Sequence, residues 1–181
     1  MAFKNKKQAM NKPTHIIVHH SGVQTPHSQF GTIDAYHKSI GHTLSTLGFY
    51  VGYHKHIAPN GFITTARRDE EVGEHTLLGW NTKSIGVCLD GDFSKNVPTQ
   101  AQLSALRAII KHYNLPFMFH KDADPKRTCA GFYFTRQLIE TANQNTPAGE
   151  TEKAKELTKY YKAIKISERF GLPLQTVLNW L

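Results

Sequence analysis

A chain of 181 residues with 39% hydrophobic and 20% charged residues can bury one sizeable core, which excludes a disordered or fibrous class. Its formal charge of +8 favours anionic partners: nucleic acid, an anionic membrane surface, or an acidic polymer such as a cell wall. Two cysteines are too few for a disulfide framework and make a reduced compartment the default. The opening "MAFKNKKQAMNKP" is basic and has no apolar h-region, so residues 1–13 read as a mobile basic arm rather than a secretory signal. No apolar run reaches transmembrane length, and the expectation is synthesis in the cytoplasm.

Taken in order, "HIIVHH" (15–20) is a short β-branched run and a buried strand candidate. "GTIDAYHKSIG" predicts a helix closing at Gly41. "YVGYHKHIA", "PNG" and "FITTA" form a hairpin signal with its turn at Pro59–Gly61. "KSIGVCLDG" (83–91) is another apolar strand. "PTQAQLSALRAIIKHYN" spaces Leu103, Leu106, Ile110 and Tyr113 at helical intervals behind Pro98 and Thr99. "FMFH" (117–120) predicts a further strand, and "FYFTRQLIETAN" a second long helix. Strands alternating with helices give an α/β class, a sheet flanked by helices.

Composition shifts at "NQNTPAGE" (143–150), which reads as a linker. Beyond it, residues 151–181 read as a basic helix, a turn at "GLP" and a short apolar helix. That extension partly resembles a helix-turn-helix and partly a glycan-binding helix pair. It lacks the strands of the latter, and two helices make too small a core to stand alone. Packing on the main domain is the first reading, and contact with an anionic envelope surface the second.

Eleven histidines are many for this length, and most read as surface or satisfied core residues. That reading covers His37, His42, His54, His56 and His112, and His20 reads as a neighbour rather than a ligand. Arg68 and Asp69 read as a structural ion pair. His19 ends an apolar strand, where a side chain emerges at the rim of a sheet; His120 ends another, and Cys129 follows on the next loop. Histidine with cysteine suits zinc, and three protein ligands leave a fourth position open, as in catalytic sites.

"IIVHHS", "VGYHKHIAPNG", "RRDEEVGEH", "GWNTKSIGVCLDG" and "FHKDADPKRTC" occur in the order seen in zinc-dependent N-acetylmuramoyl-L-alanine amidases. Over residues 14–142 the chain resembles that family, most of all its bacteriophage lysozyme-type members, and more distantly the peptidoglycan recognition proteins. The resemblance implies a central mixed β-sheet flanked by helices and one zinc ion held by His19, His120 and Cys129. It places the family's active-site tyrosine at Tyr53. The phage members' lysine falls on Lys126 counted forward from His120, or on Arg127 counted back from Cys129, because this loop is one residue longer. Lys126 is the reading adopted, with Arg127 beside substrate. His75 and Asn81 match positions that line or brace the substrate groove, and Asn81 reads equally well as a turn residue bonding the backbone. Where some members carry a glutamate, this chain has Cys88, which reads as a buried small hydrophobe. Ala130 replaces the family's usual proline after the cysteine.

The implied activity is hydrolysis of the amide between N-acetylmuramic acid and L-alanine of bacterial peptidoglycan. Zinc activates the water, and Tyr53 and a cation stabilise charge on the carbonyl oxygen. The implied role is that of a phage or prophage endolysin, monomeric, held in the cytoplasm until a holin-type route releases it to the wall. Two alternatives stand beside it: a non-catalytic peptidoglycan-binding protein on the same fold, and a basic nucleic-acid-binding protein. The intact His19, His120 and Cys129 set favours the enzyme, and no nucleic-acid partner is expected.

Overall fold

The computed structural model describes residues 10–141, except Leu78, together with residues 174–179. The chain divides into two compact units, Met1–Glu140 and Thr141–Leu181. The linker and most of the basic extension lie outside the described residues. In the second unit Leu174–Leu178 form a short helix.

Among the described residues the first unit holds five strands, β1 (His15–His20), β2 (Lys55–Ile57), β3 (Ile63–Thr65), β4 (Ser84–Leu89) and β5 (Phe117–Phe119), in the order β3-β2-β4-β1-β5. β1 pairs in parallel with β4 and β5, β2 in parallel with β4, and the β2–β3 hairpin is antiparallel, so the sheet is mixed. All six residues of β4 are buried, as are Ile16 to His19 of β1. A central parallel strand covered on both faces needs such a near-continuous apolar run.

Helix α1 spans Phe30–Ser39 and α2 spans Gln100–Tyr113. Successive residues of β2 point to opposite faces. His56 lies 5.4 Å from the Phe30 ring of α1, whereas the Lys55 ammonium lies 5.9 Å from the Tyr113 ring of α2. The two helices therefore cover opposite faces of the sheet. Thr99 caps α2 by accepting from the Gln102 N–H, and the Gln102 side chain accepts in return from the Thr99 N–H. This start turns Gln102, Leu103, Leu106 and Ile109 inward. Ile110 and Tyr113, spaced at the same helical intervals, are only half-buried.

The expected helix from Phe132 begins later, with α4 at Arg136–Thr141. The segment before it is irregular: the Tyr133 N–H donates to Phe93 O, and Phe134 buries itself against Phe93 and Phe119 at ring distances of 5.1 and 5.2 Å. Residue 120 does not end a strand. It opens a single-turn helix, α3 (His120–Ala123), whose Asp122 carboxylate accepts from the Phe119 N–H. The expected arm is also anchored at its end. Asn11 is buried, and its amide donates to the Asp69 and Ser84 carbonyls. Arg68 and Asp69 do not pair with each other. Asp69 binds Lys55 at 2.9 Å and the Tyr113 hydroxyl at 2.7 Å, while Arg68 donates to Thr46.

Candidate metal centre

Register builds the floor of the site. His56 of β2, Cys88 of β4 and His19 of β1 are paired across the sheet, and so share one face, the one α1 covers. His19, the last buried residue of β1, projects from the carboxyl end of that strand. His120 comes from α3, directly after the neighbouring strand β5, and their rings lie 4.6 Å apart. Cys129 arrives on the loop after α3, its Sγ 3.8 Å from His19 Nδ1.

One ligand atom from each of His19, His120 and Cys129 falls within 4.8 Å of the others. Zinc with its usual bond lengths and tetrahedral angles spans N···S edges of about 3.6 Å, so the set is close to that geometry. His120 Nε2 is buried and has no hydrogen-bond partner among the described residues. A buried ring nitrogen with a free lone pair, beside a thiol and a second imidazole, is a donor set that a zinc ion fits.

The surroundings hold the imidazoles neutral. Burial keeps His19 well below the ordinary histidine range, and the neighbouring His75 and His120 push the same way. His120 is lowered by burial and then by the Arg127 charge, against a smaller opposing effect of Asp124. Burial pushes the Cys129 thiol up to about 11, while the His20 N–H and the charges of Lys121 and Arg127 favour the thiolate. The His20 N–H donates to Cys129 Sγ at 3.3 Å, and His20 Nδ1 accepts from the Phe93 N–H, so this ring is engaged elsewhere.

Around the ligands, His75 Nδ1 sits 3.0 Å from His19 Nε2. The His75 ring lies over Gly73 and Gly86, where any Cβ would meet it at 2.5 Å. Asn81 fixes that loop: its Oδ1 accepts from the N–H groups of His75 and Thr76, and its Nδ2 donates to Thr76 O. Tyr53 packs 5.1 Å from the His19 ring. Burial raises its phenol well above its usual value, and the neighbouring Cys88 and Cys129 push the same way, so it stays a proton donor at neutral pH. Cys88 is fully buried, and both cysteines are free.

The loop between the ligands is organised by Asp124, which is buried. Its carboxylate accepts from the Lys126 N–H at 3.1 Å and lies 3.6 Å from Arg127 Nε. Lys126 and Arg127 are both exposed. The Arg127 charge is felt at both His120 and Cys129. The Cys129–Ala130 peptide is cis. Sequence reasoning grouped the candidate ligands with Tyr53 and His75 but missed the direct His19–His75 contact and the bonds Asp124 makes to Lys126 and Arg127. The only written signal was the clustering of charged residues between His120 and Cys129.

A family profile described as N-acetylmuramoyl-L-alanine amidase matches residues 9–132. The endolysin of Klebsiella phage KP32 is 35% identical over 96 residues, covering 48% of this chain and 62% of that protein. Peptidoglycan-recognition protein SC2 of Drosophila melanogaster is 24% identical over 107 residues, covering 59% and 58%. The matches thus span about three-fifths of these relatives' length. Among solved structures, the N-acetylmuramoyl-L-alanine amidase LysC from Clostridium intestinale superposes with a TM-score of 0.62 at 26% identity, covering 75% of this chain and 88% of that one. Bumblebee PGRP-SA superposes with a TM-score of 0.62 at 21% identity over 74% and 86%, a likeness of fold. The match to the profile takes in every residue from which the site is built, and with the mixed sheet and the His–His–Cys cluster at its rim it places this chain in the N-acetylmuramoyl-L-alanine amidase family.

Proposed function

We propose that this chain is a zinc-dependent peptidoglycan hydrolase that cleaves the amide between N-acetylmuramic acid and L-alanine, and that it serves a phage or prophage as an endolysin. The observation that carries the reading is the approach of His19, His120 and Cys129 to within 4.8 Å. The endolysins among the relatives support the biological role. On this reading the protein is made in the cytoplasm and meets the wall only after release.

His19, His120 and Cys129 would hold the ion, whose chemistry there is Lewis acidity and activation of water at neutral pH. The protein does the rest. With His19 Nδ1 turned toward Cys129 Sγ, its Nε2 carries the proton and donates to His75 Nδ1. His75 Nε2 is left facing Ser84 Oγ at 3.5 Å, and Ser84 donates to Trp80 O at 2.7 Å. This relay fixes the tautomer and the tilt of the first ligand. Tyr53, protonated and beside His19, can donate to the carbonyl oxygen as charge grows on it. A cation from the 124–129 loop adds to that stabilisation. Arg127, tied to Asp124, suits the role better than Lys126, because its charge already bears on two ligands.

A second reading, peptidoglycan binding without cleavage, is favoured by the recognition proteins among the similar folds. Retention of Cys129 argues against it. Incubation of the purified protein with isolated peptidoglycan separates the two. Release of free L-alanine amino termini, abolished by a chelator and restored by zinc, is the enzyme's result. Sedimentation with the wall and no release is the binding protein's.

A further inference from the structure

Two of the ligands proposed above stand nine positions apart, and Lys121 lies between them in space as well as in sequence. It follows His120 directly in α3. Its backbone N–H donates to Cys129 O at 2.7 Å, and its ammonium donates to Gly131 O at 3.2 Å. One residue therefore grips the chain on both sides of Ala130, immediately after the cysteine. The lysine stem is held in turn, with its ammonium 5.3 Å from the Phe119 ring. Phe119 is buried against Phe134. Gly131 adopts a φ of 92°, and a Cβ there would meet Phe93 backbone at 2.3 Å, so the far end of the grip is fixed as well.

We infer that Lys121 is the positioning residue that locks the Cys129 loop onto the His120 helix, so that the two ligands form one preorganised unit for the metal. The inference rests on the metal-site reading above and adds a device to it. The backbone half of the clasp survives any substitution at 121, but the side-chain half does not. Without the ammonium, Gly131 O loses its donor and Cys129 Sγ gains freedom to swing away. Such freedom must be lost again on binding, which weakens affinity without removing a ligand. Lys121 touches no reacting atom in this account, so its effect falls on metal retention.

The test compares the full-length parent with Lys121→Met, which keeps the stem, and Lys121→Arg, which keeps a donor. Zinc affinity is read by competition with a chromophoric chelator, beside the melting temperature of the zinc-free proteins. The expected result is about a tenfold loss of zinc affinity in Lys121→Met, the lower end of what outer-shell partners of a metal contribute. Lys121→Arg should recover most of it, with zinc-free melting temperatures alike. Equal affinity in Lys121→Met and the parent overturns the clasp and leaves the metal site standing. A loss that Lys121→Arg does not relieve, or that tracks a fall in zinc-free melting temperature, also overturns it in favour of simple structural damage. A parent that binds no zinc overturns the metal-site reading and the clasp together.

Discussion

His19 Nε2 and His75 Nδ1 lie 3.0 Å apart with both rings buried, so a single proton between them sets the orientation of the first proposed ligand. His75 is therefore a brace for the site before it is a wall of any groove. Replacing it with alanine should weaken zinc binding by about ten- to a hundredfold, the range typical of outer-shell partners. Asn81→Ala should act in the same direction but less, because it reaches His19 only through the His75 backbone. Chelator competition on both variants checks the order; a larger effect of Asn81→Ala would sever the relay.

Tyr53→Phe should keep zinc and lose turnover, since the hydroxyl is placed to serve the reacting oxygen rather than the ion. Loss of one such donor costs about 10²–10³ in rate. Steady-state assay with simultaneous metal analysis reads both quantities, and an unchanged kcat would remove Tyr53 from the chemistry.

Arg127→Ala should reduce kcat more than Lys126→Ala. Arg127 is oriented by Asp124, whose Oδ2 lies 3.6 Å from its Nε, and Asp124→Asn should therefore reproduce part of the Arg127→Ala loss. The opposite ranking of the two alanine variants would return the role to Lys126.

Acid should destabilise the fold through His54. Its imidazole is fully buried, accepts from the Gly86 N–H at Nδ1 and donates to Glu71 O from Nε2. Burial lowers its pKa to about 4 from the ordinary 6.5. The unfolded chain therefore binds the extra proton first. The stability this confers is fully present above pH 6.5 and is lost as pH falls toward 4, on the order of 2–3 kcal/mol in all. Urea midpoints between pH 7 and 4.5 should fall in the parent and fall less steeply in His54→Asn. Parallel slopes would place the acid sensitivity elsewhere.

Much of this was legible in the sequence because the two central strands are covered on both faces and so spell themselves out as apolar runs, "HIIVHH" and "SIGVCL". The capping signal at Thr99 and the turn at Pro59–Gly61 were equally local. The ligand cluster was readable only through family resemblance, since strand order, not spacing, brings residues 19, 120 and 129 together. Long-range partners of single polar side chains were not readable at all. The tether of Asn11 to Ser84, the pairing of Asp69 with Lys55 rather than Arg68, and the buried His56–Asp90 bond at 2.8 Å all depend on register between distant strands. The late start of α4 escaped for a related reason: Phe134 was claimed by Phe93 and Phe119 before the helical pattern could use it.

The most direct test of the account is zinc content and peptidoglycan cleavage measured together on the parent and on Cys129→Ser. The account predicts one zinc per chain in the parent with cleavage of the muramoyl–alanine amide, and loss of both in the variant. Cleavage by Cys129→Ser at the parent's rate would contradict it.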